Sequence, residues 1–202
     1  MIQKITIRLN GMRSRTKSRL WTRYSKIIFK LWGIDYGKNL NTRGHVLIES
    51  RGNITIGDNV TINSAPWSNP IGGTDRTYFQ VFPDGEIVIG DDCGLSNCAI
   101  TARKSVKIGR NVLIGAGCRI YDTDFHPLEY QFRYGAQKDN SYIKSREVLI
   151  DDGAFIGGGV IILKGTHIGK NSIIGAGSVV SGIVPDGEIW GGNPAHFIRK
   201  IN

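Results

Sequence analysis

A branched aliphatic recurs at every sixth position in the C-terminal third of this 202-residue chain: Ile150, Ile156, Ile162, Ile168, Ile174 and Val180. The same phase returns upstream in shorter runs, at Ile56 and Ile62, Ile89 and Leu95, and Ile108, Ile114 and Ile120. A period of six fits neither the turn of a helix nor the alternation of an isolated strand. It predicts a parallel solenoid, whose repeats are each too small to hold a core and bury their aliphatics only by stacking.

Other positions agree. Gly57, Gly90, Gly109, Gly115, Gly157, Gly169 and Gly175 each follow a phased aliphatic. The residue four beyond the aliphatic is usually small or β-branched, as at Val60, Cys93, Ala99, Val112, Cys118, Ala154, Val160, Thr166, Ser172, Ser178 and Val184, with Asp124 in its place as the chain leaves the coil. Turns read Gly-Asp-Asn, Gly-Arg-Asn, Gly-Lys-Asn and Gly-Ala-Gly, residues that accept the positive φ of sharp corners. Short β segments with a corner every six residues build a coil of triangular section, lined inside by aliphatics.

The length suits one domain with an appended segment. No run reaches the ~18 apolar residues of a membrane span, and the first residues lack a signal peptide's apolar stretch. Cys93 and Cys118 fall on inward small positions, and the three cysteines read as reduced core residues of a cytoplasmic protein. Cys98 has no histidine near it in sequence to make it a nucleophile.

The charge sits at one end. Residues 1–34 hold Lys4, Arg8, Arg13, Arg15, Lys17, Arg19, Arg23, Lys26 and Lys30 and no acid, and the rest of the chain balances 17 basic against 17 acidic residues. Leu20, Tyr24, Ile27, Ile28 and Leu31 recur at helical spacing, with Arg15, Arg19, Arg23, Lys26 and Lys30 opposite and Gly33 as a C-cap. Residues 1–38 are therefore expected to form a basic amphipathic helical segment. It either lies on an anionic bilayer at the inner face of the membrane or packs on the first coils or a sister subunit. Nucleic acid is not an expected partner, because the neutral body offers no readers for it.

The coil is expected over 39–190, with Val46, Ile48, Ile54 and Ile56 as early rungs and a closing segment over 191–202. Its phase breaks at about 63–86 and 121–147, where insertions leave as surface loops on a binding face. Leu95 and Ile108 are thirteen apart, one more than two hexads, which predicts a one-residue bulge.

The hexads, the Asp-Thr-Asp-Phe-His-Pro-Leu-Glu stretch at 122–129 and the Gly-Asn-Pro-Ala ending at 192–195 together resemble the hexapeptide-repeat acetyltransferases. The nearest patterns are the maltose/galactoside O-acetyltransferases and the acetyltransferases of capsule and O-antigen synthesis. The resemblance is good over residues 85–202 and loose before them. It implies an all-β, left-handed parallel β-helix with three hexads per coil, a hand that periodicity does not supply. It also implies a homotrimer, with acetyl-CoA bound between adjacent helices.

Acetyl transfer to a sugar hydroxyl needs a base, donors for the developing oxyanion, and alignment. His126 is the one histidine in an inserted loop and stands where the family has its catalytic histidine. Asp122, Asp124 or Glu129 is expected to orient it, Asp124 first by proximity. Asn97, or Ser96 across the bulge, matches a family asparagine near the reaction centre. The resemblance puts the amides of Gly158 and Ala176 along the pantetheine arm and thioester, where small residues let the backbone approach. Lys164, Arg199 and Lys200 are candidates for the CoA phosphates, with His196 where the family commonly has a basic side chain. Trp67, Tyr78, Tyr130 and Tyr134 either stack on a sugar or anchor the loops.

The expected function is acetyl-CoA-dependent O-acetylation of a saccharide in surface polysaccharide synthesis. Three alternatives stand beside it. The first is N-acetylation of an amino sugar. The second is a γ-carbonic-anhydrase-like zinc protein, for which His45, His126, His167 and His196 show no His-x4-His pair, so no metal is expected. The third is a non-catalytic membrane-docking scaffold.

Overall fold

The computed structural model describes residues 2–69, 71 and 75–201, with side chains described from residue 16 onward. Lys4, Arg8, Arg13 and Arg15 of the basic stretch, and Pro70, Gly72 and Gly73 of the first loop, lie outside the residues so described.

The chain winds as a left-handed parallel β-helix of triangular section. Among the described residues each coil contributes one short strand to each of three sheets. The first sheet runs from Asp35–Tyr36 through Asn53–Ile56, Glu86–Ile89, Ser105–Ile108, Val148–Ile150 and His167–Ile168 to Ile183–Val184. The second stacks Asn41–Gly44, Thr61–Ser64, Gly94–Ser96, Leu113–Ile114, Phe155–Ile156, Ile173–Ile174 and Glu188–Gly192. The third stacks Leu47–Ser50, Tyr78–Val81, Ala99–Ala102, Arg119–Tyr121, Ile161–Ile162 and Val179–Val180. Register keeps like on like: Ile108 pairs with Ile89 and Ile150, Ile120 with Ile100 and Ile162, and Ile156 with Ile114 and Ile174. All six aliphatics of the C-terminal run are no more than 2% exposed, so the hexad phase is the core.

The small inward positions satisfy the carbonyls left at each corner. Thr166 Oγ1 donates to Leu163 O (2.6 Å), Ser172 Oγ to Pro185 O (2.6 Å), and Ser178 Oγ to Gly175 O (2.6 Å). Cys93 and Cys118 do the same through sulfur, to Gly109 O and Gly157 O, both at 3.0 Å. Burial pushes both thiols up to about 11. Cys98, fully buried, is pushed up to about 12, which removes it as a nucleophile.

The thirteen-residue spacing is not a single bulge. Ile100, in register with Ile120 and Phe79, splits it into a corner one residue short and a corner two residues long. The short corner turns through Asn97 (φ 44°) and gives the inward small position to Cys98 instead of Ala99. The long corner is held by Asp122, whose buried carboxylate accepts the amides of Arg103 (2.8 Å), Lys104 (2.6 Å) and Ser105 (2.7 Å). Burial raises the pKa of this carboxyl, and the three amides oppose the rise.

The first insertion is shorter than the phase break suggests. It spans 65–77, because Tyr78–Val81 is a strand of the third sheet with Phe79 and Val81 buried in it. Tyr78 accordingly spends its hydroxyl on Glu49 Oε2 (2.6 Å) and is no loop residue. The second insertion leaves after Arg119–Tyr121 and returns at Val148–Ile150, its neck closed by a Thr123–Ser145 bridge and by Arg146 N donating to Asp122 O (2.8 Å).

The N-terminal helix, Ile2–Leu31, ends with Gly33 at φ 68°, where Ile34 N donates to Phe29 O (2.9 Å). It docks on the free edge of the first strand of the second sheet, through a face the hydrophobic pattern did not mark. Ser18 Oγ donates to Asn41 Oδ1 (2.7 Å), Thr42 N to Thr22 Oγ1 (3.0 Å), and Thr42 Oγ1 to Ser25 Oγ (2.9 Å). Phe29 is buried below them, while Leu20, Ile27 and Leu31 of the expected apolar face are 61%, 63% and 77% exposed. An edge strand needs polar partners for its unpaired N–H and C=O groups, and the helix supplies them with short hydroxyls.

At the other end the closing segment is a hairpin. Glu188–Gly192 turns back antiparallel into Ala195–Lys200, on the last strand of the second sheet.

Candidate functional site

The candidate residues sort onto the two edges that bound the third sheet. On the edge between the second and third sheets, three small corners stack: Gly115-Ala116-Gly117, Gly157-Gly158-Gly159 and Gly175-Ala176-Gly177. Gly117 N donates to Asn97 O (3.0 Å), Gly159 N to Ala116 O (2.8 Å), and Gly177 N to Gly158 O (2.9 Å), so each corner hangs on the one before. The coils approach so closely that a Cβ at Gly115 would stand 2.5 Å from Gly158 N, and one at Gly157 2.6 Å from Ala176 N. The amides of Ala116, Gly158 and Ala176 make no hydrogen bond to any described residue. The result is a column of free donors, with no side chain larger than a methyl to screen them.

Asn97 stands at the foot of this column but is only 1% exposed. Its amide nitrogen donates to Asp75 O in the first loop, and its Oδ1 is buried without a partner. Ser96 accepts from Asn63 Nδ2 (3.0 Å) within the sheet. At the head of the column Gly192 N donates to Ser178 Oγ (3.0 Å), and His196 lies over the hairpin turn with Nδ1 3.3 Å from Pro194 O. Arg199 and Lys200 are at the far end of the hairpin, in register with Ile189 and Glu188, so the strand carries them away from the column.

The opposite edge, between the third and first sheets, carries the second loop. His126 is exposed there, its imidazole without a hydrogen bond to any described residue. It lines a cavity of about 440 Å³ with Asp124, Pro127, Leu128, Arg133, Tyr134 and Lys138. The expected carboxylate partner is not on it. Asp124 Oδ1 instead takes a close ion pair with Lys164 Nζ, because the Lys164 corner is stacked one coil beyond the root of the loop. Lys164, a candidate for the CoA phosphates, thus has its ammonium on Asp124 in this structure. Asp122 is buried under the 103–105 corner, and Glu129 faces Lys144 (3.7 Å). None of the three proposed carboxylates orients the imidazole.

Sequence reasoning missed Ala116, whose amide belongs to the column, and Arg133 and Lys138 of the cavity wall. A signal existed for the first, since Gly-Ala-Gly occurs at both 115–117 and 175–177. None existed for the others, which lie inside a loop without period. Of the aromatics, Tyr130 and Tyr134 are 73% and 65% exposed with ring centroids 5.8 Å apart, and Lys17 stands over the Trp67 ring at 5.8 Å.

The remaining histidines are accounted for elsewhere. His45 stacks on Trp21 (centroids 6.3 Å) beside Arg76, and burial with that guanidinium lowers its pKa. His167 Nε2 meets Asp151 Oδ2 at 2.8 Å on the first sheet. Among the described residues no group of three or more His, Cys, Asp or Glu side chains stands together where it could hold a metal ion.

Comparison with known proteins matches two family descriptions. "Bacterial transferase hexapeptide (six repeats)" covers residues 147–182 and "Hexapeptide repeat of succinyl-transferase" covers 86–121. A galactoside O-acetyltransferase of Lactococcus lactis is 36% identical over 106 residues, 52% of this chain and 48% of that protein. A galactoside O-acetyltransferase of Escherichia coli is also 36% identical over 106 residues, 49% of its length. The chain thus spans about half the length of the curated relatives it matches. Among solved structures, an N-acyltransferase of Bacillus cereus, in complex with dTDP-4-amino-4,6-dideoxyglucose and coenzyme A, superposes with TM-score 0.69 at 20% identity. That match covers 88% of this chain and 89% of the other. A hexapeptide-repeat acetyltransferase of Vibrio cholerae superposes with TM-score 0.57 at 22% identity, covering 90% and 81%. Hexapeptide-repeat models thus match on both sides of the second loop, and hexapeptide-repeat acyltransferases of known structure share the fold of this coil.

Proposed function

We propose that this protein is an acetyl-CoA-dependent acetyltransferase acting on a saccharide hydroxyl in surface polysaccharide synthesis, at the cytoplasmic side of the cell. The observation that carries the reading is the column of unpaired amides at Ala116, Gly158 and Ala176. A stack of free N–H donors with nothing larger than a methyl beside them fits an extended amide-rich arm and a polarised carbonyl.

Acetyl-CoA supplies the activated acyl group, and the chain supplies the rest. The amides of Gly158 and Ala176 would hold the pantetheine arm and stabilise charge on the carbonyl oxygen. His126 Nε2 or Nδ1 would take the acceptor's hydroxyl proton and later pass it to the leaving thiolate. His196 at the head of the column would meet the phosphates of an extended donor, and Arg199 and Lys200 would do so only where the donor runs on along the hairpin away from the column. Asn97 would act from the foot of the column, its unpaired Oδ1 being the acceptor atom it has to offer.

His126 and the amide column flank the third sheet from opposite edges, so one chain does not close the site. A homotrimer, in which one protomer's loop reaches its neighbour's column, would join them, and this supports reading the trimer as the active form. The galactoside O-acetyltransferase relatives support an oxygen acceptor, and an amino sugar would use the same base and column.

The test is the variant His126→Ala, assayed by mass spectrometry for gain of an acetyl group across neutral sugars and amino sugars. It is expected to keep the fold and acetyl-CoA binding and to lose at least ~100-fold in turnover. Unchanged turnover would overturn the assignment, and acetylation of amines alone would replace the oxygen acceptor with nitrogen.

A further inference from the structure

The N-terminal helix has two stripes, and the protein uses one. Ser18, Thr22, Ser25 and Phe29 face the coil, and Leu20, Tyr24, Ile27 and Leu31 follow the same spacing two residues out of step. At 3.6 residues per turn an offset of two is about 200°, so the second stripe faces away from the coil at Leu20, Ile27 and Leu31, while Tyr24 leans its ring on His45 (centroids 5.5 Å). Its members are 61%, 40%, 63% and 77% exposed, and Trp32, 46% exposed, extends it past the helix end. Alongside run Arg19, Arg23 and Lys30, all exposed and none in an ion pair with a described residue.

An exposed row of this size on a helix already docked calls for an occupant. A second copy of the helix is a poor one. Its own cations would be brought against these, and there is no acid in residues 1–34 to answer them. A nucleic acid would use the cations and leave Leu20, Ile27 and Leu31 in water. A surface with negative charge above an apolar interior answers both rows at once.

We propose that this free face is a docking surface for an anionic lipid bilayer, which seats the first coil's end of the β-helix on the membrane. Because the helix caps the edge of Asn41–Gly44, the lipid-facing side looks out along the coil axis, away from the second loop and the amide column. Docking would therefore leave both edges of the third sheet accessible.

The test is co-sedimentation of the full chain with vesicles of phosphatidylcholine alone and of phosphatidylcholine mixed with phosphatidylglycerol, at low and high salt. Binding is expected to the mixed vesicles only, weakened by salt. It should fall at least ~10-fold in Leu20→Gln/Ile27→Gln/Leu31→Gln and again in Arg19→Gln/Arg23→Gln/Lys30→Gln. All six side chains are exposed, so an unchanged melting temperature should confirm folding of both variants. Failure to bind mixed vesicles, equal binding to both kinds, or full binding by either variant would overturn the proposal. So would an assembly that shrinks in the first variant without lipid, which would name a second copy as the occupant. None of these readouts depends on acetyl transfer.

Discussion

Two edges of the prism turn through nearly the same corner and spend their amides differently. Between the first and second sheets four middle residues are capped by a carboxylate from the next coil, and the uncapped amides of Asp91 and Asp152 stand singly between capped ones. Lys38 N donates to Asp58 Oδ1 (2.6 Å), Asp58 N to Asp91 Oδ1 (2.7 Å), Arg110 N to Asp152 Oδ1 (2.7 Å) and Lys170 N to Asp186 Oδ1 (2.8 Å). Each carboxylate occupies the space of a missing side chain, as a Cβ at Gly57 would stand 2.3 Å from Asp91 Oδ1. The residue after the middle one takes the left-handed conformation that asparagine tolerates, with Asn59 at φ 59°, Asn111 at 57° and Asn171 at 57°. Between the second and third sheets the same middle positions are Ala116, Gly158 and Ala176, with no carboxylate to meet them. On the first edge open donors are isolated between capped corners, whereas on the second three stacked corners in a row are left open to a ligand.

That contrast can be broken by substitution. The largest effect is expected at Gly57→Ala, where the added methyl meets a carboxylate and the Asp91 amide of the adjacent coil. It should cost about 3 kcal/mol in denaturant unfolding. Asp91→Ala should cost about 1 kcal/mol by leaving Asp58 N without its partner, and should not change the Michaelis constant for acetyl-CoA. Gly158→Ala belongs to the other edge: its Cβ would lie 3.2 Å from Ala116 O, a contact that can relax. It should cost less than about 1 kcal/mol, yet weaken acetyl-CoA binding measurably by calorimetry. If Asp91→Ala weakened acetyl-CoA and Gly158→Ala did not, the two edges would have to exchange roles.

The coil was legible because every hexad repeats one local requirement, an aliphatic inside and a small residue at the corner. Ile150 through Val180 needed no tertiary information to be placed. The 95–108 stretch resisted because its corner depends on Asp122, a carboxylate one coil away that no local pattern announces. The helix was legible as a helix but not in its orientation. Hydrophobic periodicity presumes an apolar partner, and the partner here is a strand edge that wants hydroxyls. In the site, His126 and the Gly158 and Ala176 corners could be found from motif and repeat. The Asp124 partner could not, since Lys164 is forty residues on and arrives by stacking. That His126 and the amide column lie on opposite edges of the third sheet, the ground for proposing a second protomer, shows only in the stacked coil.

The hairpin that ends the coil carries a consequence for how molecules of this kind stay separate. A parallel stack presents at its last turn an unfilled ladder that another chain, wound the same way, would fit without modification, and then another. By reversing direction, Ala195–Lys200 lays over the second sheet a strand whose polarity is wrong for that continuation. An end closed this way is a poor template for a further coil, and stacking of one molecule on the next into a fibre is disfavoured there.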